Sequence, residues 1–95
     1  MTRYTVVWDK EVEDPFMNAW FAADSHRRAV LTAIANWIDR ELAVDPGIKG
    51  RPQPVGRVIE VTLPNSTTRV SVTYRVFPED RQVRLTLLVI RDRSI

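Results

Sequence analysis

The sequence predicts an α+β domain in which a helical hairpin packs on a mostly antiparallel, four-stranded sheet, in the order β-α-α-β-β-β. Three observations support this prediction. A segment rich in β-branched and aromatic residues opens the chain, two amphipathic helical segments follow, and three segments of alternating polar and apolar residues complete the pattern. The chain has 95 residues, and we expect residues 1–95 to form a single domain.

The first strand is predicted at residues 3–8, which are rich in β-branched and aromatic side chains. Asp9 can cap the first helix, whose apolar residues recur at helical spacing as far as residue 23. Pro15 favours a later start of the regular helix, near Asp14, because proline is tolerated only in the first helical turn.

A second helix is predicted after Asp24 or Ser25, because either side chain can cap its N-terminus. The run Asp-Pro-Gly at residues 45–47 predicts where this helix stops. Residues 47–56 contain two prolines and three glycines, so we expect an irregular surface loop there.

Three strands are predicted in the second half of the chain, at residues 57–63, 69–77 and 82–90. The last two form a hairpin with a four-residue loop at residues 78–81. Alternate hairpin positions are apolar, and because side chains alternate across a strand we expect them to face the helices. These inward positions are Val70, Val72, Tyr74, Val76, Val83, Leu85, Leu87 and Val89.

The outward positions of the hairpin carry the most informative pattern in the sequence, because Arg69, Arg75 and Arg84 share them. A four-residue loop places Arg75 directly opposite Arg84, and like charges that face each other across a strand pair are destabilising. We therefore expect an anion or an acidic side chain to lie between them. A solvated sheet surface is the alternative interpretation.

Basic charge is concentrated in the second half of the chain. Residues 46–95 hold nine basic and four acidic side chains, whereas residues 1–24 hold two basic and five acidic ones. This asymmetry favours attraction of a phosphate backbone or an acidic protein to the sheet. Glu60 has the outward parity on its strand, and it is a candidate base or the counterion of Arg75. The candidate residues that bind a target or an anion are Arg51, Arg57, Arg69, Arg75 and Arg84.

Several classes of protein and site are excluded by composition. The chain has no cysteine and one histidine, so neither a disulfide nor a metal site is expected. The three glycines lie in one loop and form no phosphate-binding motif, and we expect no cofactor. No apolar run reaches the roughly 18 residues of a membrane span. The polar N-terminus does not have the pattern of a signal peptide, so a cytoplasmic location is expected.

Five segments resemble the RelE/ParE family of bacterial toxins. Residues 4–8 (YTVVW) with residues 9–14 (DKEVED) resemble the opening strand and the acidic start of the first helix. Residues 34–39 (IANWID) and 42–46 (LAVDP) resemble the second helix and its Asp-Pro exit, and residues 73–85 (TYRVFPEDRQVRL) resemble the final hairpin. The resemblance covers nearly the whole chain and rests on hydrophobic pattern and short motifs.

This resemblance implies the toxin of a type II toxin–antitoxin system, a class associated with plasmid stabilization. It implies a cognate antitoxin that covers apolar surface at the sheet edge and places acidic side chains on Arg69, Arg75 or Arg84. RelE-like members cleave mRNA on the ribosome, and ParE-like members inhibit DNA gyrase. Basic residues in the loop and third strand fall where ribonuclease members keep theirs, which implies RNA binding.

The catalytic acid of the ribonuclease members has no evident counterpart in this sequence. Those members commonly carry a histidine or tyrosine after the last strand, where this chain has RDRSI. His26 is predicted to begin the second helix, Tyr74 has the inward parity, and arginine is a poor proton donor. No catalytic residue is therefore assigned, and a gyrase-type or other binding inhibitor is favoured over a ribosome-dependent mRNA endoribonuclease. The alternative is a non-toxic, non-enzymatic interaction module on the same fold.

Overall fold

The computed structural model describes residues 3–64 and 66–92. The predicted elements are present in the predicted order, which confirms the α+β class. Asn65, which the sequence places in the turn after residues 57–63, and residues 93–95 lie outside the described residues. Asp92 was predicted to form a short tail with residues 93–95, but it is the last residue of the final strand. The elements are β1 (Thr5–Trp8), α1 (Lys10–Ala22), α2 (Ser25–Leu42), a 3-10 turn (Pro46–Ile48), β2 (Arg51–Pro52), β3 (Arg57–Thr62), β4 (Thr68–Phe77) and β5 (Gln82–Asp92).

The sheet has five strands in the order β1-β5-β4-β3-β2, one more than predicted. β1 runs parallel to β5, and the other neighbouring strands are antiparallel. The additional strand is β2, so the expectation of an irregular loop throughout residues 47–56 was wrong. β2 is short because Pro52 has no N–H to donate to a ladder and Pro54 follows two residues later.

α1 begins at Lys10, directly after its cap residue Asp9, and not near Asp14. Pro15 therefore lies inside the helix, on its exposed side. The hydrogen bond that Pro15 cannot donate would have gone to the carbonyl of Glu11, an exposed residue that water can reach. α2 is capped by Asp24, whose Oδ1 accepts a hydrogen bond from the backbone N–H of Arg27 at 2.8 Å.

The two helices cover one face of the sheet, and the core lies between the helices and that face. Trp8 of β1 packs edge-on against Phe16 of α1, with ring centroids 5.4 Å apart. The buried apolar residues of this core are Val12, Phe16, Leu31, Ile34, Ile38, Leu42, Ile59, Val61, Val70, Val72, Tyr74, Val83, Leu85 and Leu88.

A β-bulge in β5 reverses the predicted alternation beyond Leu85. Tyr74 pairs with Leu85 but Thr73 pairs with Leu87, so Thr86 is the extra residue. Its hydroxyl donates to the carbonyl of Thr73 at 3.3 Å. As a result Leu88 is buried, with 9% of its surface exposed, whereas Leu87 is 56% exposed. The predicted inward positions of Leu87 and Val89 are therefore wrong.

Candidate functional site

The sheet surface that points away from the helices, here called the outer face, carries two pairs of arginines. Arg75 lies directly opposite Arg84 near the hairpin loop, which confirms the predicted register, and we call these two the hairpin pair. Arg69 lies opposite Arg91 at the other end of the two strands, and we call these the distal pair. Six residues along a strand separate the pairs, a distance of about 20 Å.

Small polar and aliphatic side chains occupy the outer face between the two arginine pairs. Thr73 lies opposite Leu87, and Ser71 lies opposite Val89. On β3, Glu60 pairs with Ser71 and therefore lies on the same face, as its parity predicted. On the outer face, β4 and β5 thus carry arginines at both ends and uncharged side chains between them.

The distal pair borders a shallow pocket of about 200 Å³, lined by Glu60, Arg69, Ser71, Val89 and Arg91. Two guanidinium groups and one hydroxyl can donate hydrogen bonds to a bound anion, and the planar fork of arginine matches phosphate oxygens well. Arg91 is not among the residues predicted from the sequence. Unbroken alternation along β5 would have turned Arg91 inward, and the bulge at Thr86 turns it outward.

Glu60 forms an ion pair with Arg51 and not with Arg75. The Arg51 Nη2 lies 3.1 Å from the Glu60 Oε1. The pairing of β2 with β3 explains the contact, because Arg51 lies opposite Val58, two residues before Glu60 on the same face. The interpretation of Glu60 as the counterion of Arg75 is therefore wrong. The charge of Arg51 is partly offset within the chain.

Arg57 is not brought together with the arginines of the outer face. It pairs in register with Tyr74, whose side chain lies in the core. Its Nε donates to the backbone carbonyl of Lys49 at 2.7 Å, and its Nη2 donates to that of Gly50 at 3.4 Å. Arg57 thus holds the segment before β2 against the sheet.

Tyr74 is a core residue, as its inward parity predicted, and its hydroxyl is a structural donor. The hydroxyl oxygen lies 2.7 Å from the carbonyl oxygen of Lys49 and 2.9 Å from that of Pro46. Burial raises the pKa of Tyr74, and the neighbouring guanidinium of Arg57 opposes only part of that rise. The phenol therefore stays protonated at neutral pH, and its single O–H is shared between the two carbonyl oxygens of the loop.

The hairpin pair has an acidic neighbour, but in a different place from the predicted one. The Nε and Nη2 of Arg84 donate to the Oδ1 of Asp9 at 3.1 and 2.8 Å. Asp9 follows β1, which flanks β5 on the side away from β4, so its carboxylate does not lie between the two arginines. The guanidinium of Arg75 lies over the ring of Phe77, 5.3 Å from its centroid.

Within residues 3–64 and 66–92, no group of three or more acidic, histidine or cysteine side chains could hold a metal ion. No helix formed by these residues is both long and apolar enough to cross a membrane. His26 lies exposed in the first turn of α2, as predicted.

Two solved structures share this architecture. A chain of the RelBE2 toxin–antitoxin complex from Mycobacterium tuberculosis aligns with a TM-score of 0.65 and 19% identity, over 96% of this chain and 94% of that one. A double arginine mutant of the Escherichia coli toxin RelE in the free state aligns with a TM-score of 0.58 and 16% identity, over 92% and 82%. The chain has the RelE toxin fold. No protein-family model and no curated protein matches it.

The RelE toxin fold confirms the resemblance that the sequence motifs indicated. In this fold the helices cover the side of the sheet opposite the outer face, so they leave the outer face open. Arg69, Arg75 and Arg84 lie on the open side as predicted, and Arg51 reaches it through its pair with Glu60.

Proposed function

We propose that the chain is the toxin of a type II toxin–antitoxin system and that it inhibits growth by binding an anionic target through its outer face. The observation that carries this proposal is the presence of two arginine pairs on the open side of a RelE toxin fold. Guanidinium groups that face each other at close range bind phosphate groups well, because each fork donates to separate oxygens. The proposed location is the cytoplasm, where such a target is found.

The proposed target is ribosome-bound mRNA, with DNA gyrase as the alternative within the same class. The distal pair and Ser71 offer donors to a phosphate in the pocket, and Glu60 is the only acidic side chain among the described residues that line it. RNA cleavage also needs a group that protonates the leaving oxygen. Tyr74 is buried, and Glu60 is engaged by Arg51. The chain is therefore proposed to bind its target without efficient cleavage.

The proposed partner is a cognate antitoxin. A toxin on this fold must be held inactive in the cell that makes it, and one similar structure is that of a toxin–antitoxin complex. An acidic antitoxin segment over the outer face would neutralise the arginine pairs and block the same surface that the target uses.

Induced expression tests the proposal. We expect growth arrest with the wild-type chain, and loss of arrest with Arg69→Gln combined with Arg91→Gln. The matched control is Arg40→Gln, which removes one exposed cation in the last turn of α2 and should leave the arrest unchanged. Intact transcripts with stalled translation support binding to the ribosome, and altered plasmid supercoiling supports gyrase. Normal growth with well-expressed, folded wild-type chain contradicts the toxin proposal.

A non-toxic interaction module is the second candidate function, and one observation favours it. Arg84 and Arg51 are each paired with an acidic side chain of the same chain, so part of the outer-face charge is already satisfied without a target. Such a module should leave growth unaffected and bind RNA weakly. A toxin that contacts phosphates should instead show RNA affinity that falls with salt, and each arginine removed should reduce the slope by about one.

A further inference from the structure

The two helices of this chain begin with the same residue type but use it differently. Asp9 and Asp24 both occupy the N-cap position with extended backbone angles, at φ −61° and ψ 153° for Asp9 and φ −75° and ψ 176° for Asp24. The Asp24 carboxylate accepts a hydrogen bond from the N–H of Arg27 at 2.8 Å, as a cap residue should. The Asp9 carboxylate makes no such bond.

The Asp9 carboxylate is instead held by Arg84. Two guanidinium nitrogens donate to the same oxygen, Oδ1, at 2.8 and 3.1 Å. The main chain of Asp9 is nevertheless in place to start α1, since its carbonyl accepts from the N–H groups of Val12 and Glu13 at 2.9 Å. Rotation of one short side chain would therefore convert the ion pair into a helix cap.

Arg84 also faces Arg75, and Asp9 does nothing to relieve that opposition. The two arginines are directly opposite across β4 and β5, where Cβ atoms lie about 5 Å apart. A carboxylate on the far side of Arg84 cannot bridge them. A tetrahedral phosphate group presents at least two oxygens that accept hydrogen bonds, so separate oxygens can take one fork from each arginine.

We propose that Arg75 and Arg84 form a binding site for a phosphate group, and that Asp9 occupies Arg84 until phosphate displaces it and the freed carboxylate caps α1. Phosphate binding and the start of the helix are then coupled, because the same side chain serves one or the other. The stabilisation that Asp9 provides as a helix cap offsets part of the stabilisation lost when its ion pair with Arg84 breaks. This inference rests on the proposed function, since it names the group that the outer face recognises.

Asp9→Asn separates the two roles of this side chain. Asparagine caps helices as well as aspartate does but carries no charge for Arg84. Titration with inorganic phosphate at low ionic strength should show binding about two- to fivefold tighter in this variant than in the wild type. Arg75→Gln should weaken binding about fivefold, because one fork is lost. Arg40→Gln, on the exposed side of α2, should match the wild type.

Nuclear magnetic resonance reports the displacement directly in the wild-type chain. Phosphate should shift the side-chain Nε–H signals of Arg75 and Arg84, and also the backbone amides of Glu11 and Val12, which receive the cap. In Asp9→Asn the first-turn amides should already be close to their capped positions before phosphate is added. Shifts at Arg84 without shifts at Glu11 and Val12 would overturn the coupling.

Three further outcomes decide the assignment. Equal phosphate affinity in the wild type and in folded Asp9→Asn would show that Asp9 does not compete. Binding of a dicarboxylate such as succinate as tight as that of phosphate would overturn the preference for phosphate. A short single-stranded oligonucleotide distinguishes free phosphate from the phosphate of a nucleic-acid backbone. If inorganic phosphate and the oligonucleotide both bind Asp9→Asn more tightly than the wild type, the site accepts both kinds of phosphate. These binding measurements do not depend on growth. The phosphate site can therefore be confirmed even if the toxin proposal fails, and the toxin proposal can hold even if the phosphate site is refuted.

Discussion

The hydroxyl of Tyr74 lies 2.7 Å from the backbone carbonyl oxygen of Lys49, a contact that joins the middle of the sheet to the segment before β2. The Nε of Arg57 donates to the same carbonyl, also at 2.7 Å. The carbonyl of Pro46 accepts from the Tyr74 hydroxyl at 2.9 Å. One buried phenol thus fixes the 3-10 turn and, through it, the position from which Arg51 enters the sheet.

Removal of this hydroxyl should destabilise the fold. We expect Tyr74→Phe to lower the free energy of unfolding by about 1–3 kcal/mol, because the buried carbonyl of Pro46 then keeps only the long contact from the backbone N–H of Lys49, at 3.5 Å. Urea unfolding followed by circular dichroism measures the change. Tyr4→Phe removes a hydroxyl from the other tyrosine of the chain and serves as the control. An unchanged midpoint for Tyr74→Phe would show that the hydroxyl contributes nothing to stability.

The raised pKa of Tyr74 predicts a loss of stability at alkaline pH. The unfolded phenol ionises near its ordinary value of 10.0, whereas burial keeps the folded phenol protonated to higher pH. The contribution is therefore fully present below pH 10 and is lost as pH rises through the folded pKa. Between pH 8 and pH 11, the free energy of unfolding should decline more steeply for the wild type than for Tyr74→Phe. Parallel curves would count against this role.

The bulge at Thr86 predicts that truncation of two adjacent leucines has very different effects on stability. Leu88→Ala should cost about 2–4 kcal/mol of unfolding free energy, because it leaves a cavity among the buried core residues. Leu87→Ala should change stability by less than about 0.5 kcal/mol, because Leu87 points into solvent on the outer face. Thermal and urea unfolding of the two variants decide the matter. The reverse order would mean that β5 has no bulge.

The contact between Arg27 and Asp92 predicts a small contribution to the stability of the fold that is lost at low pH. Hydrogen bonding by Arg27 lowers the pKa of Asp92 below its ordinary value of 3.8, and Thr68 adds a further contact at 3.2 Å. The contribution is present above pH 3.8 and is lost as pH falls through the lower folded pKa. Asp92→Asn should cost less than about 1 kcal/mol at neutral pH, because the pair is partly exposed. The two proteins should converge in stability towards pH 2, and a constant difference would contradict the ion pair.

Glu60 opposes anion binding at the distal pair, and its neutralisation should therefore strengthen binding. We expect Glu60→Gln to raise the affinity for single-stranded RNA by about two- to fivefold at low salt, since it also frees Arg51. Fluorescence anisotropy at several salt concentrations measures the affinity and its slope. Glu79→Gln makes the same charge change in the hairpin loop, at the other end of the outer face, and should have a smaller effect. A loss of RNA binding in Glu60→Gln would instead favour a direct role for this carboxylate.

The sequence by itself determined the order of the elements and the opposition of Arg75 and Arg84. Helical and strand periodicities are local, and the hairpin register depends only on the length of the loop between the two strands. Glu60 could be assigned to the outer face for the same reason, because its strand has no bulge.

Only the tertiary structure decided the direction of residues beyond Leu85 and the contacts of Asp9 and Arg57. Residues 87–90 are all apolar, so either alternation satisfies them, and packing against the helices selects the bulge that buries Leu88 and turns Arg91 outward. Asp9 meets Arg84 because β1 pairs with a strand more than seventy residues away, and no local pattern encodes that distance. Arg57 turns inward because the carbonyl groups of the segment before β2 lie within its reach.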